Sequence, residues 1–361
     1  MRNNNIIYNN WWSKLLFKKA FEEQFFIPPP PSIVDKTILA AIEKWKFSQD
    51  FSFIKIKKPI FIVGLPRSGT TMLYDLLCVH QNAAYITNSI NAFPEEICAI
   101  EWLRKKLSLN ISGERFFKDS IEVDFGSPSE PHMMWGKWFG RDVDSLFWDE
   151  KRIKDLSETK VLEIKNDIKK ILFCFGGEEK RFICKYPVIQ TELKIVQDLF
   201  PDAHFIHIVR DGRQVANSLI KLHKMANEQI KRIKHPTVKY IVPYPRVKKL
   251  QEYVEHYGAE SVECTARVWE DAISLVEETK KELSHFMEVR YEDILKNPQI
   301  EMEKIFAFSD LEWPGPLNQH FAKKYQEIGK IHHANSYGEF ALIEKIAHKT
   351  LLKYNYISPT T

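Results

Sequence analysis

Ile60-Phe61-Ile62-Val63-Gly64-Leu65-Pro66-Arg67-Ser68-Gly69-Thr70-Thr71 is the stretch whose reading decides the fold. Its first four residues are apolar and rich in β-branched side chains, the pattern of a buried strand. Gly64, Pro66 and Gly69 then turn the chain. Met72-Leu73-Tyr74-Asp75-Leu76-Leu77 follows with helical apolar spacing. Strand, glycine turn and helix, in that order, aim backbone N–H groups and a helix dipole at a phosphate. Gly64 and Gly69 stand at the spacing of the P-loop, G-x-x-x-x-G-K-[ST], but Thr70 fills the lysine slot and Thr71 the hydroxyl slot. That lysine serves the β- and γ-phosphates, and the hydroxyl serves magnesium. A loop that lacks the lysine and carries Arg67 inside the turn is poorly suited to a nucleoside triphosphate. It suits a 5′-phosphate held without a metal bridge.

Three later segments carry chemistry at predicted strand ends. Ile208-Val209-Arg210-Asp211-Gly212-Arg213 ends a buried strand at Arg210, and Ser218 stands two turns into the following helix. Both can address one anion, and an arginine fork suits a dianionic phosphate. Asp211 is placed to cap that helix. Cys184-Lys185-Tyr186-Pro187 puts Lys185 at the end of the preceding strand. Arg290-Tyr291-Glu292-Asp293 follows a last strand, with Glu292 and Asp293 placed at the start of the next helix.

Gly-Leu-Pro-Arg-Ser-Gly-Thr-Thr resembles the 5′-phosphosulfate loop of the sulfotransferases that use 3′-phosphoadenosine 5′-phosphosulfate (PAPS). The Pro-Arg-Ser-Gly-Thr-Thr form is closer to the bacterial and Golgi branches than to the cytosolic steroid and phenol enzymes, which carry lysine where Arg67 stands. The resemblance covers about residues 58–340 in ordered motifs. It implies that Pro66, Arg67, Ser68, Gly69, Thr70 and Thr71 hold the 5′-phosphosulfate, and that Arg210 and Ser218 hold the 3′-phosphate. Tyr291 would lie by the adenine, with Met72 in the place usually held by an aromatic residue on the other face. Gly329-Lys330 resembles the glycine–lysine loop that closes over the 3′-phosphate. Lys185 matches the lysine near the bridging oxygen and sulfonate. The cofactor so implied is PAPS, leaving as PAP, with no metal.

A proton acceptor is less legible. Pro187 stands where cytosolic members carry their base histidine, and Thr87-Asn88-Ser89 stands where related branches carry a glutamate. Ser127-Pro128-Ser129-Glu130-Pro131-His132 resembles a Pro-x-Glu-x-Glu stretch of bacterial relatives, with His132 replacing the second glutamate. Glu130 and His132 are therefore candidates for the base, with Glu95 and Glu96 behind them. Catalytic roles are expected of Arg67, Lys185 and one of these groups. Two other classes stay open: a nucleotide-dependent small-molecule kinase, and a catalytically silent PAP-binding relative.

At 361 residues with 44% apolar content, the chain can build one large α/β domain. A formal net charge of +4 argues for a local basic site rather than a nucleic-acid surface. Five cysteines without a C-x-x-C pair make neither a disulfide framework nor a zinc motif. No apolar run is long enough to span a membrane. The start of the chain lacks the continuous apolar core of a signal peptide. The expected organisation is an N-terminal helical arm with a proline linker over 1–57, a sulfotransferase domain over 58–345 with an insertion or lid at about 225–260, and a C-terminal tail over 346–361. Strand–helix alternation predicts a P-loop-like three-layer α/β fold, a central parallel sheet with helices on both faces. The aromatic, basic stretch 7–27 leaves open a peripheral membrane contact or a homodimer contact for an otherwise cytoplasmic protein. The acceptor expected is a small molecule, glycan or lipid. Trp and Met residues between Met133 and Trp148 suit an apolar or sugar-stacking pocket, and the basic residues of 231–249 suit an acidic acceptor.

Overall fold

A computed structural model describes residues 7–8, 11, 33–109, 111–114, 122–141, 145–146, 149–233, 243–315, 319–326, 328 and 338–358. Its strands are β1 (Ile7–Tyr8), β2 (Ile60–Val63), β3 (Ala83–Tyr85), β4 (Ile111–Glu114), β5 (Glu122–Asp124), β6 (Arg181–Lys185), β7 (His204–Val209) and β8 (His285–Arg290). Five of them form a parallel sheet in the order β3-β6-β2-β7-β8. The stretch that opened the sequence reading is thus the central strand. Its four residues are all buried, as a parallel strand covered on both faces requires.

Period-2 alternation divides the core into two layers. Ile60, Ile62, Ile183, Ile206, Ile208 and Val289 face one side. There they meet Leu73, Leu76 and Leu77 of α2 (Thr70–Cys78), with Met302, Ile305 and Phe306 of a helix at Pro298–Phe308. Phe61, Val63, Phe182, Cys184 and Phe205 face the other side. They pack on α1 (Ile33–Lys46), a helix at Ile97–Lys106, and another at Glu158–Cys174. Toward the end of β7 this second layer continues as Val209 against helices Gly212–Ile233 and Val262–Thr279. Three layers around a parallel sheet are the architecture the alternation predicts.

Several local expectations are corrected. Apolar spacing predicts a helix over 33–50 with Ile38, Leu39, Ile42 and Trp45 on one face, but α1 ends at Lys46 and turns a different face inward. Leu39 is buried, whereas Ile38 and Trp45 are 49% and 79% exposed. Glu43 is drawn in instead, accepting from Ala99 N at 2.7 Å and pairing with Lys170 at 2.8 Å. The sequence predicts a helix from Pro94 through Leu107; the helix found starts at Ile97 and ends at Lys106. Few helix signals over 113–131 predict a long substrate-side loop, yet the stretch contains β5, and β4 and β5 form an antiparallel sheet with β1. A helix is likewise expected from Val188 to Phe200, but the chain breaks at Glu192 into a 3₁₀ turn (Pro187–Thr191) and a helix (Leu193–Leu199). Glu192 is buried there against Arg141, at 2.5 Å.

The insertion read at 225–260 is not a solvated face throughout. The helix from Gly212 continues to Ile233. Arg246, only 3% exposed, lies 4.1 Å over the Tyr244 ring and donates to the carbonyls of Ser145 and Pro243. The stretch 346–361, expected as a tail, contains a helix at His348–Lys353 with Leu351 fully buried. Residues 12–27, the proline linker and Lys330 lie outside the described residues.

Candidate active site

Parallel strands bring their carboxyl ends to one edge, and each chemistry-bearing segment sits at one of those ends. Across the edge the order is Lys185 at the end of β6, the Gly64–Thr71 turn after β2, Arg210 after β7, and Tyr291 after β8. Because the sheet order reverses direction around β2, this is the crevice where open α/β sheets hold ligands.

The turn is shaped for close approach. Arg67 adopts φ 72° and Gly69 φ 94°, both left-handed. A non-glycine residue at such φ is uncommon and marks a constrained functional turn. Gly69 has a second reason to be glycine. A Cβ there would lie 2.4 Å from Cδ2 of Tyr291. α2 begins at Thr70 with no side-chain cap at its N-terminus. Its first N–H groups therefore present the positive end of the helix dipole to the crevice.

Three polar side chains converge on this turn. Arg67 Nε donates to Ser218 Oγ at 2.9 Å. Arg210 Nη1 donates to the Arg67 carbonyl at 2.9 Å, and Nη2 to Gln214 Oε1 at 2.8 Å. The Arg210 guanidinium also stacks 4.6 Å from the Tyr291 ring. Arg67 thus bridges Arg210 and Ser218, meeting the first through its carbonyl and the second through its guanidinium. Ser68 Oγ and Arg210 Nε are buried and make no hydrogen bond among the described residues. Two buried donors without a partner there, beside an uncapped helix N-terminus, suit an anionic ligand. Thr70 is buried, and Pro66, Thr71 and Met72 are half-buried along the same turn.

Gly212, the glycine of the Arg-Asp-Gly-Arg segment, is fixed by packing. A Cβ there would sit 2.7 Å from the Trp269 ring. Glu292 ties this segment to the Tyr-Glu-Asp segment by accepting from Asp211 N at 3.1 Å. The helix placement read for Glu292 is correct, but the helix it serves includes the one after β7.

On the other side of the turn, Lys185 is buried and ion-paired with Glu130. Glu130 is delivered by antiparallel pairing of 86–89 with 125–129: Ser129 N donates to Ile86 O at 2.9 Å and Asn88 N to Ser127 O at 3.1 Å. Beneath it, Glu101 accepts from Thr87 Oγ1 at 2.6 Å, from Ser89 Oγ, and from Arg104 Nη2 at 2.7 Å. Burial acts to raise the Glu101 pKa, but the Arg104, Ser89 and Thr87 hydrogen bonds outweigh it and hold the carboxyl below its usual range. Thr87 and Ser89, which stand where related branches carry a glutamate, thus serve a carboxylate supplied from another helix.

His132 follows Glu130 at the head of a helix (His132–Phe139). Burial pushes its pKa down to about 4, against the raising pull of Glu130, so the ring is neutral near pH 7. Its Nε2 lies 3.4 Å from Asn91 Nδ2, and Asn91 Oδ1 accepts from Met133 N at 3.1 Å. Glu95 enters different contacts: it is exposed and pairs with Lys137 at 3.1 Å. Glu96 is buried at the N-terminal boundary of its helix, where burial raises its pKa. Of the four carboxylate and imidazole candidates, the structure pairs only Glu130 with Lys185 among the described contacts. Gln214, Asn91 and Glu292 escaped the sequence reading as site residues. Only Gln214, one helical turn beyond Arg210, carried a local signal.

Fold and site define an α/β protein that gathers two arginines, a lysine and an uncapped helix N-terminus along the carboxyl edge of its parallel sheet. The chain belongs to the sulfotransferase family, whose sequence model matches residues 59–315. It is 27% identical over 259 residues to an omega-hydroxy-beta-dihydromenaquinone-9 sulfotransferase, Stf3, of Mycobacterium bovis. That match covers 69% of this chain and 61% of the relative's length. A protein-tyrosine sulfotransferase of Drosophila melanogaster is 22% identical over 75% of this chain and 41% of its own. The crystal structure of sulfotransferase STF9 from Mycobacterium avium shares the fold, with a TM-score of 0.54 at 12% identity over 87% of this chain and 81% of that one. No helix among the described residues is long and apolar enough to cross a membrane. None of their His, Cys, Asp and Glu side chains gather in a group of three that could hold a metal ion.

Proposed function

We propose that this chain moves a sulfonate group from PAPS to a hydroxyl or amine of a small-molecule, glycan or lipid acceptor, with PAP as the other product. The observation that carries this reading is the convergence of Arg67, Arg210 and Ser218 beside the uncapped N-terminus of α2, with the Tyr291 ring as its far wall. The buried donors Ser68 Oγ and Arg210 Nε give a phosphate-bearing ligand partners that the protein itself does not use.

When bound, the donor supplies the sulfonate and a phosphate leaving group. Arg67, Lys185 and the N–H groups of residues 67–71 balance negative charge that grows at the leaving oxygen, which lowers the barrier electrostatically. Arg210 and Ser218 hold the 3′-phosphate, and Tyr291 packs by the adenine. Glu130 takes the acceptor's proton. It is preferred over His132 because it touches Lys185, whereas Nε2 of the imidazole faces the Asn91 amide nitrogen.

Calorimetric titration with PAP in metal-free buffer tests the reading, beside ATP with magnesium. Metal-independent PAP binding tighter than that of ATP is expected. No PAP binding, or a magnesium-dependent preference for ATP, overturns it.

A further inference from the structure

The C-terminal residues beyond the family match return to the nucleotide side of the crevice. Tyr356 Oη donates to Glu292 Oε2 at 2.9 Å, and Arg213 Nη2 donates to the Tyr356 carbonyl at 2.9 Å. The Arg290 guanidinium stacks 4.6 Å from the Tyr356 ring. One residue thus touches both turns that flank the proposed 3′-phosphate and adenine position. Arg213 belongs to the first turn of the helix after β7, three residues from Arg210. Arg290 and Glu292 bracket Tyr291 after β8.

Glu292 is the hinge of this arrangement. One carboxylate oxygen accepts from Asp211 N at 3.1 Å and the other from Tyr356 Oη. Asp211 is itself held by Arg213 through both carboxylate oxygens, at 2.8 to 3.1 Å, and Arg213 reaches Glu344 at 2.7 Å. Two carboxylates beside an anion site would weaken anion binding if left unpaired, because like charges repel strongly where water is scarce. Tyr356 and Arg213 give each carboxylate a partner and fix the separation of the two turns.

We propose that Tyr356 is a positioning residue for the nucleotide. It clamps Glu292 between the β7 and β8 turns, so that Arg210 and Tyr291 keep the spacing that receives the 3′-phosphate and adenine. This inference rests on the PAPS reading above. Tyr354, two residues earlier, provides an internal control. Its hydroxyl lies 2.6 Å from a Glu277 oxygen and 2.9 Å from a Glu288 oxygen, sharing its one proton between them, and so anchors the same segment away from Asp211 and Tyr291.

The test is calorimetry with PAP on full-length wild type, Tyr356→Phe and Tyr354→Phe, with melting temperatures taken alongside. Tyr356→Phe keeps the ring over Arg290 and removes only the hydroxyl. It is expected to weaken PAP binding about fivefold, the scale of one lost hydrogen bond. Tyr354→Phe is expected to lower the melting temperature while PAP affinity stays within about twofold. Wild-type affinity in Tyr356→Phe, or equal losses in the two variants, overturns the positioning role, because the segment then acts through stability alone. Failure of the wild type to bind PAP is a separate outcome: it sinks the PAPS reading itself, and the inference with it.

Discussion

Arg210 donates a hydrogen bond to the main-chain carbonyl of Arg67 at 2.9 Å, so the turn after β2 and the strand end of β7 are joined directly. The arginine also stacks on Tyr291 at 4.6 Å. Replacing it removes a loop support, a ring contact and the proposed phosphate partner at once. Arg210→Ala is expected to weaken PAP binding by about tenfold or more, the scale of a lost hydrogen bond to a charged group. Titration of the folded variant checks this, and affinity within twofold of wild type would remove Arg210 from the phosphate site.

Gly69 leaves no room for a side chain, and its φ of 94° suits glycine. Gly69→Ala is expected to cost about 1–3 kcal/mol of stability through overpacking and backbone strain. It should weaken PAP binding as well, because the Tyr291 ring must move to admit the methyl group. Denaturant unfolding with and without PAP measures both effects. An unchanged midpoint would show that the ring yields without cost.

Glu130 and Lys185 form the ion pair proposed as base and cation. Glu130→Gln keeps the shape and removes the proton acceptor. PAP formation from PAPS across a panel of alcohols, phenols and amines is expected to fall about 10²- to 10⁴-fold, with PAP affinity retained. Retained turnover would transfer the role to His132 and call for His132→Gln as the next variant.

Burial gives the protein an acid-sensitive element away from the proposed catalytic residues. His223, 2% exposed with Nδ1 3.0 Å from the Ala259 carbonyl, has its pKa pushed down from 6.5 to about 4 by burial. Between those values the unfolded chain binds a proton that the folded chain refuses. Stability from this site is therefore present above about pH 6.5 and lost as pH falls toward 4, on the order of 3 kcal/mol in full. His223→Gln should flatten the dependence of the urea midpoint on pH across that window. An equally steep dependence in the variant would assign it elsewhere, His132 being the other imidazole held down to about 4.

Much of the sheet, and of the residues along its carboxyl edge, was legible because both rest on local patterns. Ile60–Val63 is a continuous apolar run and His204–Val209 a mainly apolar one, and Lys185, Arg210 and Tyr291 stand at or just after strand ends, with Arg67 in the turn that follows β2. What escaped depends on partners distant in sequence. Glu43 enters the inner face of its helix because Ala99 N and Lys170 await it there. Glu192 breaks a predicted helix because Arg141 holds it buried. Glu101 supports the segment that delivers Glu130 through hydroxyls twelve and fourteen residues away. A charged residue drawn inward by a remote counter-charge leaves no trace in apolar periodicity. The base assignment stayed open for the same reason: Glu130 meets Lys185 across 55 residues of chain.

The strand order also acts as a ruler. Lys185 and Tyr291 follow strands three hydrogen-bonded spacings apart in the sheet, roughly 14 Å at the usual separation of neighbouring strands. A compound shorter than that span can occupy one half of the edge but cannot touch both ends. Fragments built from adenosine would compete for the β7–β8 half alone, and acceptor mimics for the β6 half alone. Joining two weak fragments across this fixed distance would make the second contact intramolecular, so an inhibitor of the right length gains from geometry without any stronger individual contact.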